Sequence, residues 1–155
     1  MNGYFLIKTL HILSATVLFG TGLGIAFFML RSYFSKDIQV KLYASETTVV
    51  ADSVFTLPAV ILQPATGIWL LGHSGYDWTQ WWLVVSYILY LIAGACWLPV
   101  VWIQIQLKKI LITSVKEQSF LPSRYFELFR IWFVLGWPAF LSLVAIFYLM
   151  ATKPI

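Results

Sequence analysis

One helical turn separates Lys8 from His11 in the stretch LIKTLHILSATVLFGTGLGIAFFML, Leu6 to Leu30, which is otherwise apolar enough to cross a bilayer. Ionisable groups in hydrocarbon cost free energy unless they are paired, so where they occur they mark candidate functional sites. At about 100° per residue, Lys8, His11, Ala15, Leu18 and Gly22 share one stripe of a helix, with Ser14 beside it. His11 falls roughly 10 Å along the helix from Tyr4, in the outer hydrocarbon. Its imidazole has two uses there. It can be a neutral core side chain satisfied by one hydrogen bond, with Ser14, Gln63 and Thr66 as candidate partners. It can also bind metal, since imidazole is a common axial ligand of haem iron. A ligating imidazole donates its other ring N–H to an acceptor, for which Ser14 and Thr66 are available. Lys8 then either snorkels to water or pairs with an anionic ligand group such as a haem propionate.

His73 is the second candidate metal ligand. It ends the second apolar segment on the same side of the membrane as His11, and the two meet only if that helix tilts or stops early. Met150 is the other candidate for a sixth ligand. Below His11 the stripe is mostly small, and Gly20 and Gly24 form a GxxxG pair of the kind that lets helices pack closely. In that reading Gly24→Leu destabilises the bundle or a dimer. The sharper reading is a groove beside His11, walled by Gly22, that admits a flat ligand. The GTGLG run is no dinucleotide fingerprint, because no strand precedes it.

The remaining polar residues have plainer readings. Pro58 and Pro64 each remove a backbone donor, and Gln63 and Thr66 are placed to satisfy the freed carbonyls. Asp52 and Glu46 can balance Arg31 or Arg130, Glu127 and Arg130 form an i,i+3 pair, and Gln104 and Gln106 belong to the inner interface. No carboxylate pair lies mid-membrane, so a proton relay is missing. The single cysteine, Cys96, excludes a disulfide or zinc site within one chain. No catalytic residue is assigned.

These residues must be positioned by membrane helices. The 155 residues are 61% hydrophobic and only 10% charged, with a mean hydropathy of +0.85, whereas soluble domains are about 25% charged. A span needs roughly 20 apolar residues, and four segments qualify, about 4–30, 52–72, 81–107 and 128–151. They fill residues 1–155 as a single domain. The net charge of +4 is not a nucleic-acid signal, because the basic residues flank the spans. Loop one (RSYFSKDIQVKLYASET) and loop three (KKILITSVKEQSFLPSRYFELFR) carry eight of them, against Lys8 and Lys153 on the other side. Loop two (HSGYDWTQ) has none. The bias places loops one and three in the cytoplasm and both termini outside. Tyr76, Trp78, Trp81 and Trp82 form an interfacial belt, while loops one and three are polar enough for a cytoplasmic turn or interfacial helix. The expected fold is an all-α, up-down-up-down bundle of four transmembrane helices.

KTLHI, LPAVILQPATGIWLL and FRIWFVLGWPAFLSLVAIFYLMATKP resemble the first, second and last helices of the HemJ-type protoporphyrinogen oxidases, small bacterial membrane proteins that bind haem b. The likeness covers nearly the whole chain. It is similar, more closely, to a related group of predicted integral membrane proteins, domain-of-unknown-function family 2269. The resemblance implies a haem-ligating role for His11 and a functional cation at Lys8, in a bacterial inner membrane. Where the oxidases have an Asn-Glu-x-Pro pattern in the last helix, this chain has Leu135 to Pro138 without a carboxylate, and its third helix has no histidine.

The expectation is therefore a protein that binds haem b on the outer side of the bundle, with a redox or tetrapyrrole-handling role. His11, Lys8, Ser14, Gly22 and Thr66 are its candidate cofactor-binding residues, and His11 and His73 its candidate metal ligands. Its partners are the lipid bilayer, a second copy of the chain and a membrane redox partner. The alternative is a cofactor-free assembly partner or small-molecule carrier.

Overall fold

The computed structural model describes residues 2–154, leaving Met1 and Ile155 outside the described residues. Helix α1 spans Asn2–Tyr33, α2 Ile38–Ala51, α3 Leu57–Ser74, α4 Trp81–Lys116 and α5 Ser123–Thr152. A five-residue π turn, Asp52–Thr56, joins α2 to α3 without a break. Among the described residues four helical stretches are long and apolar enough to cross a membrane, the second running Ile38–Ser74. The fold is thus an all-helical, four-span bundle. Its breaks follow local chemistry. Asp37 caps α2 by accepting from the Gln39 amide at 2.8 Å. Gly75 ends α3 in the left-handed conformation at φ 73°, and Pro122 stands just ahead of α5.

Loop one is mostly helix, a correction to the sequence reading. Only residues 34–37 turn, and α2 continues into the second span. The face that α2 and the π turn bury is polar throughout: Lys41, Ser45, Thr48, Asp52 and Thr56 are all buried, while Val40, Val50, Val54 and Phe55 are exposed. The spacing of three and four residues puts the buried set on one helical stripe. Lipid offers a polar side chain no partner, so the stripe turns inward, although among the described residues Ser45 Oγ, Asp52 Oδ2 and Thr56 Oγ1 remain without a hydrogen-bond partner there. Lys41 is accordingly no topogenic loop charge. Its Nζ donates to the Ser32 carbonyl at 3.0 Å and to the Tyr33 carbonyl, closing the C-terminal end of α1 where a cation is favoured.

The end of the bundle that holds this stripe is tightly packed. Ile25 and Met29 of α1 meet Ile103, Leu107 and Leu111 of α4 and Tyr125 and Trp132 of α5. We call it the basic end. At the other end, which carries both termini, Leu71, Trp82, Leu83 and Leu149 form a smaller cluster. Trp82 is therefore a core residue rather than part of an interfacial belt, and its indole N–H donates to Gln80 at 2.9 Å. Tyr76, Trp78 and Trp81 do remain exposed.

Between the two ends the helices pair unevenly. The α4–α5 and α1–α3 pairs are extensive, whereas the backbones of α1 and α5 come close at few points and are joined by large side chains. Pro64 cannot donate to the Val60 carbonyl one turn back, and the Tyr90 hydroxyl of α4 donates to that oxygen instead. Tyr90, rather than Gln63 or Thr66, thus answers the proline and ties α3 to α4. The expected close approach at Gly20 and Gly24 is not met within the chain: a Cβ at either position would have no neighbour within 4 Å. Nor does Glu127 pair with Arg130. Its partner is Arg124 at 3.4 Å, an exposed contact of the kind worth about 0–1 kcal/mol.

Candidate functional site

Residues three or four apart on α1 and α3 build a compact polar cluster in the half of the bundle nearer the termini. His11 Nδ1 lies 2.7 Å from Thr66 Oγ1. Thr66 Oγ1 is also 2.6 Å from the Leu62 carbonyl, which can only accept. The threonine has one hydroxyl proton, and because the Leu62 carbonyl has none to offer, an oxygen–oxygen contact this close needs that proton between them. His11 Nδ1 must therefore carry a proton and donate to Thr66, which leaves the lone pair on Nε2. Gln63 Nε2 donates to the His11 carbonyl at 2.7 Å and to Ser14 Oγ, and Ser14 donates to the same carbonyl at 3.1 Å. Gly67 completes the wall: a Cβ there would stand 3.4 Å from His11 Cε1. The imidazole lies against α3, half-buried, with its ring orientation and tautomer both set.

Of the expected site residues, His11, Ser14 and Thr66 come together, and Gln63 and Gly67 join them. Lys8 stays one turn nearer the termini, exposed and with no ion pair among the described residues. Gly22 does not wall the His11 ring. Eleven residues along α1, ~16 Å at about 1.5 Å per residue, it lines a separate central cavity. His73 does not reach His11 either. It is exposed, stacked on Trp69 at 4.0 Å between ring centroids and hydrogen-bonded through Nδ1 to the Trp69 carbonyl at 2.8 Å. Its position is six residues beyond Gly67, ~9 Å further along α3 at about 1.5 Å per residue. Met150 is half-buried beside the Leu71–Trp82–Leu149 cluster. No group of three or more metal-ligating side chains occurs among the described residues.

The central cavity holds the polar residues that sequence reasoning set aside. It measures about 410 Å³ and is lined by all four spans. At its basic end Asp52, Thr56 and Gln104 are 6%, 3% and 2% exposed. Asp52 Oδ2, Thr56 Oγ1, Gln104 Oε1 and the indole nitrogens of Trp97 and Trp132 are all buried without a hydrogen-bond partner. Asp52 consequently balances neither Arg31 nor Arg130, and Gln104 is no interfacial residue. The signal that could have found them was the polar stripe at 41, 45, 48, 52 and 56, which reads as surface only if water is assumed outside.

The hydrogen-bond assignment is directly testable. Ring-nitrogen NMR of histidine-labelled protein in detergent is expected to show His11 protonated at Nδ1 and bare at Nε2. Thr66→Val should leave that N–H unpaired and lower thermal stability by about 1–3 kcal/mol. A protonated Nε2 in the wild type would refute the assignment.

No curated protein and no solved structure matches the chain. A family model does match, over residues 5–154, and its description is a predicted integral membrane protein. Nearly the whole chain lies within that match, including every residue of both polar sites, and the chain belongs to the DUF2269 family of predicted integral membrane proteins.

Proposed function

We propose that this chain binds haem b in the bacterial inner membrane, with His11 Nε2 as the single protein ligand to iron, in a redox or tetrapyrrole-handling role. The observation that carries this reading is the committed Thr66 proton, which makes Nδ1 the donor and Nε2 the free lone pair. A hydrogen bond from the non-ligating nitrogen is the usual way to orient a metal-bound imidazole and raise its basicity. The donor set would supply the iron with one imidazole, that of His11. It does not fit a bis-histidine site, because His73 is turned back onto Trp69. When bound, haem would supply one-electron chemistry at its iron. The residues supply the rest: Thr66 and Gly67 fix the ring, Gln63 and Ser14 brace the α1 backbone beneath it, and Lys8 can answer a propionate one turn nearer water. The Lys8-x-x-His11 likeness to the HemJ-type oxidases supports the same reading.

The proposal includes a membrane redox partner and self-association, for which the Gly20–Gly24 face is free of neighbours within the chain. It also places the basic end in the cytoplasm. With Lys41 spent on α1, seven basic residues still flank that end, Arg31, Lys36, Lys108, Lys109, Lys116, Arg124 and Arg130. A cytoplasm-only fluorescent reporter fused after residue 155 should stay dark, whereas one inserted at residues 117–122 should fluoresce. The opposite pattern would reverse the orientation.

A second reading, a cofactor-free assembly partner or small-molecule carrier, is supported by the central cavity and by a hydrogen-bond set that already satisfies His11 Nδ1. Absorption spectroscopy separates the two. Detergent-purified protein from haem-replete cells is expected to show a Soret band that shifts on dithionite reduction. His11→Ala should abolish it, His73→Ala should keep it, and Lys8→Ala should weaken retention without altering the ligation spectrum. No band in the wild type, or an unaltered band in His11→Ala, would contradict haem ligation by His11.

A further inference from the structure

The central cavity is a different place from the His11 cluster. Its nearest lining residue on α1 is Leu18, seven residues and ~10 Å along the helix from His11 at about 1.5 Å per residue. Its walls are apolar and aromatic, with Phe19, Val60, Tyr90 and Phe140 among them. Leu23, Phe27, Phe133 and Trp137 also line it and are themselves exposed, so it opens sideways to lipid between α1 and α5. On the terminal side of that opening Phe19 of α1 stacks on Phe140 of α5 at 5.3 Å and abuts Phe147, and at the basic end Tyr33 stacks on Phe129 at 4.5 Å.

The polar floor is unusual in that its groups stand near one another without well-formed hydrogen bonds. Native proteins satisfy nearly all buried polar atoms, and an unsatisfied one calls for an explanation. Five unpartnered atoms belong to residues lining this one cavity. Thr56, Gln104 and Trp97 aim their polar groups at the Asp52 carboxyl as hydrogen-bond partners, in contacts too loose to bond Asp52 Oδ2, Thr56 Oγ1, Gln104 Oε1 or the Trp97 indole nitrogen fully among the described residues, so these groups converge around a shared space. The groups facing Asp52 include no cation, and no ion pair reaches it among the described residues. A carboxyl group in hydrocarbon therefore lacks a positive partner, beside an amide oxygen that can only accept.

We propose that this cavity binds an amphipathic amine. Its ammonium head sits on the floor, donating to Asp52 and to Gln104 Oε1, with Thr56 as a third acceptor. Where the head also carries an oxygen, that oxygen accepts a hydrogen bond from the Trp132 indole N–H. The apolar tail runs along the aromatic walls to the opening between α1 and α5, so the ligand enters from the bilayer rather than from water. A neutral alcohol of equal length satisfies the walls but not the charge, and a fatty carboxylate is repelled by Asp52.

Tryptophan fluorescence and thermal melting of the full chain in a non-ionic maltoside detergent test this, with n-decylamine, n-decanol and decanoate as probes. Decylamine is expected to quench saturably and to raise the melting temperature, whereas decanol and decanoate do neither. Asp52→Asn should weaken decylamine binding at least tenfold. Gln104→Leu should weaken it several-fold, which keeps the test open if Asp52→Asn folds poorly. His11→Ala should leave amine binding intact, so the outcome is independent of haem. Equal effects of decanol and decylamine would overturn the proposal, as would undiminished decylamine binding in both floor variants. No saturable amine binding in the wild type would also overturn it and leave water as the occupant.

Discussion

Hydrocarbon offers no hydrogen bonds, and that constraint organises this molecule around the polar stripe from Lys41 to Thr56. Facing lipid, five polar side chains on successive turns would each cost free energy. Facing inward, they do structural and chemical work. Lys41 closes the end of α1, Ser45 and Thr48 pack inside the basic end, and Asp52 and Thr56 reach the cavity floor opposite Gln104. The valines of the same segment then meet lipid. The usual polarity of a surface helix is inverted, and α1, α4 and α5 are arranged around the result.

The two ends of the bundle differ because of what each must satisfy. At the basic end, large apolar side chains from α1, α4 and α5 fill the space beside the stripe. Towards the termini, single hydrogen bonds carry the joins: Tyr90 to the carbonyl that Pro64 abandons, and Gln63 to the backbone at His11. Glycines and alanines line the interval between, where α1 and α5 stand apart and the cavity forms. The same economy of contact that leaves room for a ligand also leaves His11 Nε2 without a partner.

Much of this was legible in the residues alone. The apolar runs are long enough to fix four spans, and the Lys8–His11 spacing with Thr66 and Gln63 in the second span anticipated the polar cluster. What failed was the treatment of polarity as a mark of water. The segment before Asp52 reads as a polar connection with room for an interfacial helix, and Gln104 as an interfacial residue, because a sequence does not say which face of a helix looks at protein. Within the chain the Gly20–Gly24 pair has no helix opposite it, and Trp82 is buried with Leu71, Leu83 and Leu149, for the same reason. Glu127 had two basic residues at helical spacing, Arg124 and Arg130, and only side-chain geometry chose between them.

The central claim is that the polar face of α2 and the π turn points into the bundle while its valines meet lipid. Oxygen accessibility of spin labels in proteoliposomes measures this directly. Single cysteines would be placed at Thr48, Val50, Val54 and Thr56 in a Cys96→Ser background. The account predicts high oxygen collision rates at 50 and 54 and low rates at 48 and 56. High accessibility at 48 and 56 to a water-soluble nickel reagent, with 50 and 54 shielded from oxygen, would contradict it.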